Sequence, residues 1–396
     1  MRKICDLHLH SKYSGGASQN INLYNLASNS MMKGIDILGT GDCLHPTWLS
    51  EIKSELIEYS SGLFQSPLVQ NVNLILQSEI EVIWKLYNKI KKVHLLLLFP
   101  SLEKLDEGVD FLSKYGNLKE EGRPKIFSTP ETLTYGLKSI DEHIEIIPAH
   151  IFTPYFGMFG ENPEFSTLKE VFGNSWNYIN SVETGLSADP VMLRKISELN
   201  KVSIISNSDS HSTNFHRLGR EATILNMNKL NYPNLIDSLK RNKIIKSYEL
   251  KPSQGKYYYD GCRSERHNNK NDYFCSPKLK INTCPFCKRK LTKGVLSRVH
   301  KLSDQISPFK LNFQYIVPLL YLITLIQGGT EYSKENLSIY RKLISSNNGE
   351  YNIWEGKSNF QKIPEKLIDA INKVRNGKFW FIPGHDAVYG KLQFEI

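Results

Sequence analysis

Along the first 250 residues, short apolar runs rich in Ile, Val and Leu alternate with longer stretches of helical periodicity. The runs at 4–10, 35–38, 72–76, 93–99, 144–147, 179–182 and 202–205 read as seven strands. Strands that alternate with helices predict a parallel sheet. The apolar run 315–326 is broken by Pro318 and is too short to span a bilayer. Arg2 and Lys3 lead straight into Ile4 without an apolar leader, so a cytoplasmic protein is expected, with no membrane partner.

Metal-competent side chains cluster where these strands end. Side chains two apart in a strand point the same way, so His8 and His10 can grip one ion, with Asp6 on the same face. Later runs lead to Asp42 and His45, Glu79, His150, Glu183, and then Asn207, Asp209 and His211. His94 is the exception, since it begins its run. If the sheet closes into a barrel, strand ends meet at one face and form the site. Imidazoles and carboxylates gathered there can hold divalent cations that acidify a water and offset phosphoryl charge. Such ligands suit zinc, manganese or iron and admit magnesium. Glu183 can orient the water or support a ligand from behind.

The motifs Asp6-Leu-His-Leu-His10, Gly39-Thr-Gly-Asp42, Glu79, His94, Pro148-Ala-His150 and Ser208-Asp-Ser-His211 resemble the PHP (polymerase and histidinol phosphatase) superfamily of phosphoesterases. The resemblance implies a distorted (β/α)7 barrel with two or three divalent metals. It assigns His8, His10, Glu79 and Asp209 to one metal, with Glu79 bridging to a second held by His94 and His150, and His211 at a third position. Many members have Thr-Asp-His after the second strand, whereas this chain has Gly41-Asp42-Cys43. Two metals are therefore expected, with Asp42, His45 and His211 lining the site or holding a third ion. Asp209, Glu183 and Asp42 are the expected catalytic carboxylates.

Charge divides the chain. Residues 1–250 carry 26 Lys and Arg against 28 Asp and Glu, whereas residues 251–396 carry 24 against 12. A basic third favours a polyanion, nucleic acid ahead of membrane. Four of the six cysteines fall between Cys262 and Cys287, which in a cytoplasmic chain reads as metal binding. Cys284-Pro-Phe-Cys287 is a zinc half-site; Cys262 with Cys275 is the preferred completion, and His267 in place of Cys275 the alternative. The expected organisation is a barrel over 1–250, a zinc module over 251–300 and a mainly helical DNA-engaging region over 301–396.

Gly255-Lys-Tyr-Tyr-Tyr, the cysteine cluster, the segment 291–299 and Pro383-Gly-His-Asp-Ala-Val-Tyr-Gly390 narrow the resemblance to the endonuclease Q family. It implies a DNA repair endonuclease, monomeric, prokaryotic or archaeal and associated with the nucleoid. Such an enzyme cuts 5′ of deaminated bases (hypoxanthine, uracil, xanthine) or abasic sites in double- or single-stranded DNA, and a sliding clamp is a further candidate partner. Lys288, Arg289, Lys290, Arg298, Trp380 and Tyr389 are candidate DNA contacts, although residues 379–381 also alternate like a strand lining a small core. The alternatives are a small-molecule phosphatase of the histidinol-phosphate kind and a DNA-binding PHP protein without turnover. The basic third argues against the first, and the retained ligand set against the second.

Overall fold

A computed structural model of the chain describes residues 1–267, 271–306 and 311–395. Its main sheet runs from the strand Phe313–Tyr315 through Ile244–Glu249, Ala222–Asn226, Arg2–Asp6 and Ile37–Gly39 to Val69–Leu86. Lys89–Phe99, Lys125–Phe127 and Glu145–Pro148 join beyond that strand, and Ser181–Glu183 pairs separately with Ser203–Ile205. Alternate residues of one strand enter two different cores: Ile4, Leu38 and Leu74 face one, Cys5, Ile37 and Ile75 the other. Burial on both faces is why these strands read as continuous apolar runs.

The α/β reading holds, but the sheet is mixed, not wholly parallel. Arg2–Asp6 pairs in parallel with Ile37–Gly39, and that strand with Val69–Leu86, yet Val69–Leu86 and Lys89–Phe99 form a long antiparallel hairpin. It turns at Tyr87 and Asn88, with φ of 46° and 62°, a conformation suited to a two-residue hairpin. The apolar runs at 72–76 and 93–99 mark only its buried parts. Reversal of the second arm explains His94: its strand starts where its neighbours finish, opposite Glu81 and near the end of Glu145–Pro148.

The last third is helical over Leu319–Gln327, Lys334–Asn347, Glu350–Trp354 and Glu365–Arg375, then ends in the hairpin Phe379–Ile382 with Lys391–Phe394. Phe313–Tyr315 extends the main sheet by pairing with Ile244–Glu249, and side chains from Ile316 to Phe381 share a core with Ile4 and Leu38. A buried ion pair fastens the contact: Lys33 Nζ lies 3.0 Å from Glu350 Oε2, and Tyr340 Oη donates to that same oxygen at 2.8 Å. Gly349, at φ 111°, permits the approach, because a Cβ there would sit 2.9 Å from the Lys33 carbonyl oxygen.

The cysteine segment is organised by the antiparallel pair Asp260–Cys262 and Tyr273–Cys275. Two sequence motifs hold it to the tail. Tyr259 N donates to Gly384 O at 3.0 Å, and a Cβ on Gly384 would lie 2.2 Å from Gly255 O, so the 255–259 and 383–390 segments pack backbone to backbone. Among the described residues no helix is long and apolar enough to cross a membrane.

Candidate metal centre and nucleic-acid interface

The first strand ends at Asp6, and the chain continues extended past the loop that carries Asp209, with His10 N donating to Ser210 O at 3.0 Å. Asp6 does not join the histidines. It accepts from Ser208 N at 2.9 Å and Gly219 N at 3.1 Å, tying the first strand to that loop, and burial pushes its pKa up to about 6. His8 Nε2, His10 Nε2 and Asp209 Oδ1 converge, with Asp209 Oδ1 3.2 Å from His10 Nε2 and 3.7 Å from His8 Nε2. All three atoms are buried without a hydrogen-bond partner. Buried polar atoms left unpaired and aimed at one point are what a divalent cation satisfies.

A second group forms around Glu79, which the strand Val69–Leu86 delivers fully buried. Its Oε1 lies 2.9 Å from both His94 Nδ1 and His150 Nε2, while its Oε2 lies 3.3 Å from His10 Nε2 and 3.7 Å from His8 Nε2. One carboxylate thus faces two histidine pairs. Burial pulls His8 towards its neutral form, but Glu183, Glu79 and Asp209 outweigh it and hold its pKa above the ordinary range. For Glu79, burial opposes ionisation, and the surrounding imidazoles, His94 first, pull the pKa well below the usual carboxylate range.

The other expected carboxylates stand behind the histidines. Glu183 places both oxygens 3.0 Å from His8 Nδ1 and also accepts from His150 N and Asn207 Nδ2 at 2.8 Å. Asp42 accepts from Ser11 N, Ser11 Oγ and Ser14 Oγ through Oδ2, and its Oδ1 lies 3.1 Å from His10 Nδ1. These contacts fix which ring nitrogen faces the ligand group. The oxygens of Asp42 and Glu183 are thus engaged by the rings and backbone around them. His45 stacks on Tyr13 at 4.2 Å and lies outside both groups. His211 packs its ring 4.1 Å from that of His10, with Nδ1 3.7 Å from Asp209 Oδ1, and burial lowers its pKa.

Three of these residues have left-handed backbone, with φ of 39° at Asp42, 33° at His150 and 46° at Asp209. Strained backbone of this kind concentrates at functional sites. Arg123, unmarked by any sequence motif, sets Nη1 3.2 Å from Glu79 Oε2. It lies between apolar runs, so periodicity gave no signal for it.

In the cysteine segment, Cys262, Cys284 and His267 offer ligand atoms within 4.8 Å of one another, and Cys262 Sγ lies 3.7 Å from Cys287 Sγ. This corrects the preferred completion: His267, not Cys275, stands with the other three. Cys275 sits opposite Asp260 and Cys262 opposite Tyr273, which makes the two cysteines diagonal neighbours, roughly 7–8 Å apart in such a ladder. The Arg289 backbone N–H holds the Cys287 thiol down at about 7, which favours the thiolate a metal needs.

The proposed DNA contacts divide by exposure. Lys288, Arg289 and Lys290 are exposed, as are Trp380 and Tyr389. Phe379 and Phe381 turn into the core, so the expected alternation is present, with Trp380 outside. Arg298 is buried and donates to Phe159 O at 3.0 Å and Phe165 O at 2.6 Å; it fastens a loop and is corrected from a DNA contact to a structural residue. A cleft of about 340 Å³ opens beside His150 and Asp209, walled by Tyr155, Phe156, Tyr257, Tyr258 and Tyr389. Lys256 Nζ lies 5.6 Å from the centre of the Tyr257 ring and 5.9 Å from that of Tyr389.

With this geometry in place, solved structures give a full-length match. The lesion-specific endonuclease PfuEndoQ from Pyrococcus furiosus superposes with a TM-score of 0.85 at 28% identity, covering 100% of this chain and 96% of the other. The chain resembles endonuclease Q, a PHP-type enzyme, from end to end. A second structure, endonuclease Q with a 27-mer duplex carrying an abasic lesion at its active site, matches at TM-score 0.85 and 29% identity, covering 100% and 97% of the two chains. Among curated proteins, the uncharacterized YqxK of Bacillus subtilis is 29% identical over 99% of the chain and all of the relative. The uncharacterized MJ0043 of Methanocaldococcus jannaschii is 32% identical over 255 residues, 62% of this chain. The match to MJ0043 spans about a third of that relative's length, 31%. No family model matches the endonuclease Q-like chain.

Proposed function

We propose that the protein is a metal-dependent DNA repair endonuclease that hydrolyses the phosphodiester 5′ of a deaminated base or an abasic site. The observation that carries this reading is Glu79, whose two oxygens face separate histidine pairs. The full-length likeness to endonuclease Q supports the substrate class. In this reading His8, His10, Asp209 and Glu79 hold one divalent cation, and Glu79, His94 and His150 a second, within a distorted (β/α)7 barrel over residues 1–250. When bound, such cations lower the pKa of a water towards neutrality and offset charge on phosphoryl oxygens.

The chain's own residues do the rest. Glu183 holds the His8 ring and Asp42 the His10 ring, so their Nε2 atoms stay aimed at the ligand group. The aromatic cleft beside His150 is shaped to take a nucleotide drawn out of the stack, and Lys256 at its wall suits the phosphate that follows. Extrusion costs least where pairing is already weakened, which favours damaged positions. Residues 251–300, with one structural zinc held by Cys262, His267, Cys284 and Cys287, and residues 301–396 supply phosphate contacts.

The test is a labelled duplex with one deoxyinosine, deoxyuridine or abasic site, incubated with manganese, magnesium or zinc beside an undamaged control. Nicking on the 5′ side of the lesion is expected, and Asp209→Asn is expected to abolish it while DNA binding persists. Absence of lesion-directed nicking with every metal removes the proposal.

A further inference from the structure

We infer that Arg123 is a catalytic residue of this site, a fixed cation that contacts a non-bridging oxygen of the scissile phosphate beside the ligand groups. The inference rests on the hydrolytic reading above and adds to it a residue outside the metal-ligating motifs. Among the described residues the barrel brings together two ligand groups, around His8, His10 and Asp209 and around Glu79, His94 and His150. Asp42 is engaged by Ser11, Ser14 and His10, and Glu183 by His8, His150 and Asn207. The segment that rests on Asp42 contributes a guanidinium instead.

That segment is held from three sides. Gly122 N donates to Tyr13 O at 2.9 Å, and Glu81 N donates to Pro124 O at 3.0 Å. A Cβ on Gly122 would lie 2.3 Å from Asp42 Oδ2 and 2.5 Å from Ser14 Oγ, so the backbone rests directly on the network that orients His10. Arg123 follows, pinned at both flanks, with Nη1 3.2 Å from Glu79 Oε2, the oxygen that faces His8 and His10. Glu79 is wholly buried, whereas 24% of the Arg123 side chain is open to solvent. The guanidinium therefore sits against a buried carboxylate on a side chain that still reaches solvent, with Nη2 3.9 Å from Glu121 Oε1.

Hydrolysis forms a phosphorus–oxygen bond to water, breaks one to a sugar oxygen, and leaves that oxygen to take up a proton. Negative charge builds on the non-bridging oxygens as the new bond forms. A planar guanidinium with several N–H donors can keep one on Glu79 and turn others to phosphate, without giving up a proton itself. Preorganised donors aimed at developing charge typically contribute 10²- to 10³-fold in rate.

The test compares wild type with Arg123→Met, which keeps the stem, and Arg123→Lys, which keeps the charge. Three readouts are taken: single-turnover rate on lesion duplex and on bis(p-nitrophenyl) phosphate, bound metal per chain, and the salt dependence of duplex binding by metal-free protein. The inference expects Arg123→Met to lose about 10²-fold in rate on both substrates at unchanged metal content, with partial recovery in Arg123→Lys. The binding slope against log salt should fall by about one. Rates within threefold of wild type, or a rate loss matched by metal loss in both variants, would overturn it. If wild type cleaves the small diester but leaves the lesion duplex intact, the lesion reading falls while Arg123 is still tested on the diester.

Discussion

Both carboxylate oxygens of Glu183 lie 3.0 Å from Nδ1 of His8, and neither ring nor carboxylate is exposed to solvent. The contact leaves Nε2 as the only nitrogen His8 can offer to the ligand group. Glu183→Gln preserves the shape but replaces the charge with an amide that can present N–H to the ring. Partners of this kind are worth 10- to 100-fold in metal affinity. We expect a loss in that range by chelator competition, with folding retained by circular dichroism. Unchanged affinity would show that Glu183 does not position the ligand.

The cysteine segment separates His267 from Cys275 as the fourth ligand. Cys287→Ser and His267→Ala should each lower bound zinc by about one ion per chain in elemental analysis, since a structural site normally needs all four ligands. Cys275→Ser should leave the count at the wild-type value. Zinc loss in Cys275→Ser with retention in His267→Ala would reinstate the assignment drawn from cysteine spacing.

Glu249 is buried beside Ser206 and Ser247, and both hydroxyls donate to its Oε1. Burial pushes its pKa up to about 8, and burial together with the charge of Glu249 raises that of neighbouring Glu221; Asp189 also faces Glu249. The folded protein thus keeps a proton on Glu249 that the unfolded chain releases near its ordinary 4.5. Its contribution to stability is full below that value and declines as pH rises towards about 8. The decline approaches ~1.4 kcal/mol per pH unit for one proton. Urea midpoints between pH 5 and 9 should fall with pH in wild type and fall less steeply in Glu249→Gln. Parallel curves would remove this linkage.

The sequence made the candidate ligands legible because chemistry-bearing residues follow apolar runs. His8, His10, Glu79, His150 and Asp209 could each be found by reading to the end of an apolar run, although the strand that carries Glu79 continues to Leu86. His94 could not, since its place depends on a hairpin reversal at Tyr87 and Asn88 that charged positions such as Lys85, Lys89, Lys91 and Lys92 obscure. Arg298 was misread because a cation in a basic segment looks solvated, and only the Phe159 and Phe165 carbonyls show why this one is buried. Cysteine spacing named four thiols, but pairing register decides which sulfurs meet, and register depends on the hairpin as a whole.

The strand Phe313–Tyr315 and the buried Lys33–Glu350 pair make the last third continuous with the main sheet. An enzyme built this way works as a gauge. In the proposed endonuclease, one shared core sets the distance from the exposed residues of the last third, such as Trp380, to the ligand groups around Glu79.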